Sequence, residues 1–272
     1  MSDKEFFDLA ELPLNSPDQA WGNLGYWREA DDYSSACREL AVLLGERLAL
    51  SSESVVFDAG FGCGDQLLLW LQQFQVGQLF GVNFSSSQTA YALSQLQRRG
   101  LAPQAEISEG CVESAAAWSA VEASEQPVNR VIALDCAYHF PSRQNFFTKA
   151  NQLLPDAGRI GLTDFVLGDG FRGRAGLLGG LMFRLSKIPR GNMVTESQYR
   201  DELAAAGFKA IEIEDISAEV MPKFGQWLRG FKRDNLRIMP RAQWLKYDGT
   251  ARFLAWAYRK KLLRYVVVIA DK

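Results

Sequence analysis

The sequence predicts an α/β protein built on a doubly wound, mostly parallel sheet. Short runs of apolar and β-branched residues alternate with amphipathic helical segments, and a glycine-rich turn follows the first of these runs. Helices that connect neighbouring strands of one sheet make right-handed crossovers, so the strands that they connect are parallel. The chain has 272 residues, which is long enough to bury a core of this kind.

The predicted strands are apolar runs of four to ten residues. They are SVVFDAG (54–60), QLFGVNF (78–84), AEIS (105–108), NRVIALD (129–135), RIGLTDFVL (159–167), FKAIEIEDIS (208–217) and LRYVVVIAD (263–271). Helical spacing of apolar residues predicts helices between them. These helices are DQLLLWLQQF (65–74), SSSQTAYALSQLQRR (85–99), RQNFFTKANQLL (143–154) and QYRDELAAAG (198–207). A capping box of Thr195 and Gln198 opens the last of them.

Two later segments depart from this alternation. Residues 168–192 carry seven glycines among apolar and basic residues, which favours a mobile lid over 168–194 rather than a helix packed on the sheet. Residues 222–262 are helical in pattern and aromatic, and they predict a helical cap over about 218–262. We expect residues 1–50 to form an N-terminal helical segment that covers the site, and residues 51–272 to form the main domain.

Composition excludes several classes of protein. The chain is 47% hydrophobic and 23% charged with a formal net charge of −2, so it is ordinary for a globular protein and carries no nucleic-acid-binding signature. The four cysteines lack zinc spacing, and no run is apolar enough to span a bilayer. We expect a cytoplasmic protein without stable membrane insertion. Basic residues that flank the apolar ones in 172–190 leave contact with a membrane surface open.

A glycine-rich turn, VVFDAGFGCGD, joins the first predicted strand to the first helix. Asp58 ends the strand. Three glycines alternate through the turn: Gly60, Gly62 and Gly64. Such glycines let the backbone approach a ligand at the start of a helix, at the sheet edge where nucleotides bind. Asp65 replaces the last glycine of the dinucleotide fingerprint, and GK[ST] is absent, so the turn favours a nucleoside without a phosphate.

The segment DAGFGCGD resembles motif I of the class I S-adenosylmethionine-dependent methyltransferases. The resemblance extends over roughly residues 20–271 and is greatest to the branch of tocopherol, ubiquinone, sterol and sugar O-methyltransferases. LLPDAG (153–158) is similar to the family's L-L-x-P-G-G. The resemblance implies a seven-stranded Rossmann-like sheet with an antiparallel closing strand. It also implies S-adenosylmethionine as cofactor, S-adenosylhomocysteine as product, a small-molecule acceptor, and cofactor contacts from Asp58 and the three glycines.

The segment GVNFSSSQ (81–88) matches the end of the family's second strand. Asn83 stands where many members have an acid that binds the ribose hydroxyls, and Phe84 follows it at the cofactor. An asparagine can still donate and accept hydrogen bonds there. Gln88 is similar to a cofactor-contacting glutamine of the cyclopropane fatty-acid synthase branch.

Two further segments resemble cofactor-binding parts of the family. In EGCVES (109–114), Cys111 replaces the acid near the adenine amino group, and the Val112 N–H would meet the ring. In NLGYW (23–27), Tyr26 would contact the amino-acid end of the cofactor, although simple packing of this segment is an open alternative.

The segment LDCAYHFPSR (134–143) holds the only histidine of the chain, His139. Asp135 ends the fourth predicted strand, close to the expected methionine end of the cofactor. In several O-methyltransferases of this branch, the histidine at the matching position takes the proton of the acceptor hydroxyl, which suits a neutral imidazole. Tyr138 is a second catalytic candidate, because an aromatic face attracts a sulfonium. Structural or substrate-orienting roles for both residues stay open, and no metal is expected.

The lid and the aromatic cap favour an apolar acceptor, and O-methylation of a natural-product or lipid-like hydroxyl is the leading hypothesis. C-methylation of a lipid, isoprenoid or quinone-type substrate is an alternative. A cofactor-binding protein that no longer methylates is another, because Asn83 and Cys111 depart from the family's pattern. A homodimer is possible.

Overall fold

A computed structural model of the protein describes residues 13–272, apart from the side chains of residues 174–176 and 178. Seven strands form one sheet in the order β3-β2-β1-β4-β5-β7-β6. Their bounds are β1 Val55–Ala59, β2 Gln78–Asn83, β3 Ala105–Glu109, β4 Arg130–Leu134, β5 Arg159–Leu167, β6 Lys209–Asp215 and β7 Leu263–Asp271. The first five strands are parallel, and β7 runs antiparallel to both β5 and β6. The predicted sheet is confirmed, and each predicted strand lies within two residues of the observed one.

Burial explains why the central and edge strands differ in sequence. All five residues of β1 are buried, and seven of the nine in β5 are buried. The edge strands β3 and β6 have exposed residues at most positions and carry charges such as Glu106 and Glu214. Parallel strands with both faces covered read as continuous apolar runs, whereas charged edge strands discourage pairing with another chain.

Helices cover both faces of the sheet. They are α1 Tyr33–Arg47, α2 Asp65–Gln72, α3 Ser86–Arg98, α4 Ser119–Ala123, α5 Arg143–Leu153, α6 Gly173–Leu185, α7 Glu196–Ala205, α8 Ser217–Asp234 and α9 Arg241–Arg259. The first face packs against α1, α2, α3, α8 and α9, and the second against α4, α5 and α7. Strand β7 shows the division, because Tyr265 and Val267 pack in the core on the first face and Val266 and Val268 pack in the core on the second face.

Two segments differ from the sequence-based expectation. The glycine-rich lid segment contains a helix, α6, which places Phe183 in the core against Phe171 and Phe253. Its exposed leucines Leu177, Leu181 and Leu185 recur every four residues on the outer side. Glycine only weakens a helix, and tertiary packing through Phe183 outweighs that cost. In the N-terminal segment, residues 13–32 are not helical and α1 is the only helix described; residues 1–12 lie outside the described range.

The non-helical stretch 13–32, here called the strap, is fixed to the cap. Trp27 packs against Trp227 of α8 with ring centroids 5.0 Å apart, and the backbone N–H of Trp27 donates to the Glu219 backbone carbonyl at 2.9 Å.

Within the described residues, no helix is both long and apolar enough to cross a membrane.

Candidate active site

A cavity of about 360 Å³ lies at the carboxyl edge of the parallel strands. Six short segments contribute its walls: the strap, the glycine turn, the end of β2 with the start of α3, the turn after β3, the loop after β4, and the end of the lid. In chain order these are residues 20–23, 60–66, 82–85 with Gln88, 110–112, 134–136 with 138–141, and Lys187. The topology brings these segments together because parallel strands end at the same edge.

The glycine turn has the backbone that a bound nucleoside requires. Gly60, Gly62 and Gly64 have φ values of +82°, +58° and +92°, in the left-handed region that disfavours side chains. A Cβ at Gly60 would lie 2.8 Å from the Cys136 sulfur, and one at Gly64 would lie 2.7 Å from the Ala92 Cβ. A Cβ at Gly62 would meet nothing within 4 Å, so it would project into open space in the cavity wall. The turn therefore forms a cradle in which a ligand can contact bare backbone.

Asn83 and Gln88 form a hydrogen-bonded pair on the cavity wall. The Asn83 Nδ2 donates to Gln88 Oε1 at 2.9 Å, and the Gly62 N–H donates to Asn83 Oδ1 at 3.3 Å. Both side chains are almost completely buried. Ser85 caps α3 by accepting from the Gln88 N–H, which holds Gln88 in the first turn of the helix. The structure thus brings together two residues that the sequence analysis assigned to the cofactor.

The remaining predicted cofactor residues of this side also line the cavity. Phe84 has 47% of its surface exposed, and Cys111 and Val112 follow β3 in the neighbouring turn, where the Gly110 N–H donates to the Asn83 carbonyl at 2.9 Å. The Val112 carbonyl accepts from the Trp118 Nε1 at 2.7 Å, which fixes this turn to the core beneath it.

Asp58 lies behind the cavity wall rather than in it. Its carboxylate is fully buried and accepts from Gln66 Nε2 at 2.8 and 2.9 Å and from Trp70 Nε1 at 2.7 Å. Burial raises the pKa of Asp58 to about 6, and the two donors partly oppose this. These bonds connect the end of β1 to α2 on either side of the glycine turn.

Tyr26 also lies outside the cavity. Its backbone N–H donates to the Ala36 carbonyl at 2.8 Å, and its ring packs against the core on the α1 side. The strap reaches the cavity three to six residues earlier, at residues 20–23. The sequence motif located the segment that covers the cavity. It did not show which residues of that segment reach the cavity, because this depends on the turn at Gly25, whose φ is +74°.

Two acids that line the cavity hold the strap in place. Asp65 Oδ2 accepts from the Ala20 N–H at 3.0 Å, and Asp135 Oδ2 accepts from the Leu24 N–H at 2.8 Å. Asn23 stiffens the stretch between them, because its amide bonds to the Cys37 carbonyl and the Gly25 N–H. Sequence reasoning missed Asp65 and Asn23 as site residues. Asp65 offered a signal, an acid in the first turn of a helix directly after the glycine turn.

Asp135 accepts three hydrogen bonds. Its Oδ1 accepts from the hydroxyls of Tyr138 at 2.9 Å and Tyr265 at 2.6 Å, in addition to the strap contact at Oδ2. Its φ of +55° is unusual for a non-glycine residue and turns the chain sharply out of β4. Burial raises the pKa of Asp135 to about 7, against the lowering effect of the three donors.

His139 and Tyr138 lie on a single helical turn, Ala137–His139, that follows this bend. Both residues line the cavity, and their ring centroids are 4.4 Å apart. Burial lowers the pKa of His139 to about 4, and a hydrogen bond to the Lys187 backbone partly offsets the shift. The imidazole is therefore neutral at pH 7. The Tyr138 hydroxyl donates to Asp135 Oδ1 at 2.9 Å.

The aromatic cap does not contribute to this cavity. Trp227 stacks on Phe231 with centroids 4.7 Å apart, and further aromatic contacts extend the cluster to Tyr33 and Trp244. Most cap aromatics therefore form its core, and among the described side chains of the lid Lys187 lines the cavity. Within the part of the chain that the structure describes, no group of three His, Cys, Asp or Glu side chains could hold a metal ion.

The doubly wound sheet, the bare glycine cradle and the covering strap define a class I S-adenosylmethionine-dependent methyltransferase. A family model for mycolic acid cyclopropane synthetase matches residues 18–248, and the chain belongs to that family.

Relatives with assigned activities are found as well. The chain is 28% identical over 231 residues to erythromycin 3''-O-methyltransferase of Saccharopolyspora erythraea, covering 80% of this chain and 72% of the relative. It is 27% identical over 267 residues to 27-O-demethylrifamycin SV methyltransferase of Amycolatopsis mediterranei, covering 94% and 92%. The solved structure of the cyclopropane synthase MmaA2 from Mycobacterium tuberculosis has the same fold, with a TM-score of 0.75 at 18% identity, covering 100% and 95%.

Proposed function

We propose that this enzyme methylates a hydroxyl group of a largely apolar natural-product acceptor, with His139 as the general base. The observation that carries the proposal is the position of His139, the only histidine, on the wall of the cavity that the glycine cradle lines. A base and a cofactor cradle in one cavity can hold a donor and an acceptor in contact, which provides much of the rate acceleration in transfer reactions.

We assign the cofactor to the part of the cavity between the glycine turn, β2 and β3. The open space at Gly62 fits a ligand that lies directly on the backbone. Asn83 would bind the ribose with Gln88 as its support, and Phe84, Cys111 and Val112 would surround the adenine. Asp65, Asp135 and the strap would enclose the amino-acid end. S-adenosylmethionine supplies a methyl group made electrophilic by its sulfonium.

The chemistry assigned to the protein is removal of the acceptor's proton. A neutral imidazole is the form that can accept it, and burial keeps His139 in that form at pH 7. The hydrogen bond from the imidazole to the Lys187 backbone would stabilise the protonated form, so lid and base would act together. The Tyr138 ring beside His139 would present a π face to positive charge in the cavity.

The acceptor is expected to enter from the side of the lid, where Lys187 lines the cavity. Aromatic side chains such as Phe84 and Phe140 also line the cavity, which suits a mainly apolar molecule with polar substituents. Two relatives whose names describe O-methylation of erythromycin and demethylrifamycin support an acceptor of natural-product type.

C-methylation is a second candidate, and the match to the family model supports it. The matched family is described by cyclopropane synthesis, a reaction at carbon. Both reactions release a proton, and the two candidates differ in where it comes from: the acceptor hydroxyl in O-methylation, and the acceptor carbon skeleton in C-methylation.

The test is a screen of purified protein with S-adenosylmethionine against paired acceptors that carry either a free or a blocked hydroxyl. We expect methylated product only from the free hydroxyls, and a loss of about 10²–10⁴-fold in rate for His139→Ala. Tyr138→Phe removes the neighbouring hydroxyl and keeps the ring, so a smaller loss in this variant than in His139→Ala would assign the effect to the imidazole. Product from the blocked acceptors would favour methylation at carbon. An unimpaired His139→Ala variant would refute His139 as the base.

A further inference from the structure

Asn192 is a buried amide at the end of the lid, in the turn Arg190–Asn192. It is only 4% exposed although asparagine is usually a surface residue, so its burial requires partners. It does not line the cavity and is not part of the site described above.

The partners of Asn192 bracket His139. Its Nδ2 donates to the Tyr138 carbonyl at 3.2 Å and to the Phe140 carbonyl at 2.6 Å. Its Oδ1 accepts from the Arg143 N–H at 3.1 Å. One side chain therefore holds the residue before His139, the residue after it, and the start of α5.

An amide matches these partners in a way that other side chains of this size do not. Two carbonyls require two N–H donors, and the Arg143 N–H requires an acceptor. Aspartate would place an oxygen against the two carbonyls, and leucine would satisfy none of the three groups. The chemistry of the position therefore specifies asparagine.

Buried polar contacts connect the backbone beneath Asn192 to the sheet. The Arg143 side chain is fully buried and pairs with the fully buried Asp164 of β5 at 3.0 Å, and the Tyr199 hydroxyl also donates to Asp164. Arg143 is thus fixed to the sheet, and through its backbone it fixes Asn192. Through these contacts, the turn that carries His139 is connected to the central sheet.

We propose that Asn192 is a positioning residue that sets the place of the His139 imidazole relative to the cofactor cradle and couples it to the lid. The proposal rests on the proposed function of His139. Two residues of the lid segment contact this turn, since Lys187 bonds to the imidazole and Asn192 to the backbone on either side. Movement of the lid would move the base.

The test uses Asn192→Asp, which keeps the acceptor for Arg143 and removes both donors, and Asn192→Ala. Because His139 is the only histidine, protein labelled with ¹⁵N-histidine gives one imidazole signal set that reports its environment without any reaction. We expect that signal to shift or broaden in both variants. We also expect kcat to fall about 10–100-fold, as for a misplacement of order 1 Å, with S-adenosylhomocysteine affinity within about twofold of wild type.

Asn129→Ala is the matched control. Asn129 also bonds backbone on a neighbouring segment, the Val55 N–H at 3.0 Å and the Glu53 carbonyl at 3.0 Å, but it lies at the amino edge of the sheet. We expect the control to lose stability and keep both kcat and the imidazole signal.

Retained S-adenosylhomocysteine binding identifies folded Asn192 variants. The proposal would be overturned if such variants kept an unchanged imidazole signal and a kcat within about twofold of wild type. Absence of methyl transfer by the wild type would instead count against the proposed function. The imidazole signal would still report whether Asn192 positions His139.

Discussion

Replacement of Gly62 by alanine tests the cofactor cradle most sharply. Gly62 has a φ of +58°, so alanine should cost roughly 1 kcal/mol of folding stability through backbone strain alone. The added methyl meets no protein atom within 4 Å, and it projects where the cofactor is assigned. We therefore expect S-adenosylhomocysteine affinity to fall by at least about tenfold, which corresponds to about 1.4 kcal/mol.

Gly100 offers a matched control for the same substitution. Its φ is +69°, and a Cβ there would also meet nothing within 4 Å. It follows α3, twelve residues beyond Gln88, which is about 18 Å along a helix. Gly100→Ala should show the same strain in urea denaturation and unchanged binding in calorimetric titration. Equal binding losses in the two variants, or none in Gly62→Ala, would refute the assignment of the cradle.

Four further predictions concern the base, the core, the thiols and the acids. With a His139 pKa of about 4, the loss of rate that depends on His139 should be centred near pH 4; a His139-dependent loss centred near 6.5 would contradict this burial effect. Arg143→Met leaves Asp164 buried without its cation and should lower the free energy of unfolding by about 3–5 kcal/mol in urea denaturation, whereas Arg233→Met, at an exposed pair, should leave the midpoint unchanged. Alkylation of Cys63, Cys111 and Cys136, which all line the cavity, should slow cofactor binding, and bound cofactor should protect them; unchanged binding after complete modification would disprove it. Because the pKa of Asp135 in the folded protein is raised to about 7, its contribution to stability is full below its ordinary pKa of about 4 and is lost as the pH rises to about 7. Asp135→Asn should therefore flatten the fall in unfolding free energy between about pH 4 and pH 7. Equal slopes of unfolding free energy against pH in the variant and the wild type would contradict the reasoning.

The fold could be predicted from the sequence because its signals are local. Apolar runs such as RIGLTDFVL coincide with the observed β5, and the capping box at Thr195 and Gln198 forms as expected. The glycine turn identified the cavity edge, because glycines at φ values that other residues avoid leave a direct trace in the sequence.

The details that could not be predicted depend on contacts between distant segments. Leu24 meets Asp135 across 111 residues, and Asn192 meets Phe140 across 52, so neither contact has a local pattern. The lid helix forms because Phe183 packs on the cap, which outweighs the glycines around it. The buried contacts of Asp58 with Gln66 and Trp70 were equally hidden, since these partners become neighbours only when α2 packs against β1.

Calorimetric titration of the purified protein with S-adenosylmethionine and S-adenosylhomocysteine tests the central claim most directly. The account predicts that both bind with dissociation constants on the order of 1–100 µM, because the cradle, the Asn83–Gln88 pair and the strap are already assembled. Absence of binding by protein that denatures cooperatively in urea would contradict the account, since the cavity would then hold no cofactor for His139 to serve.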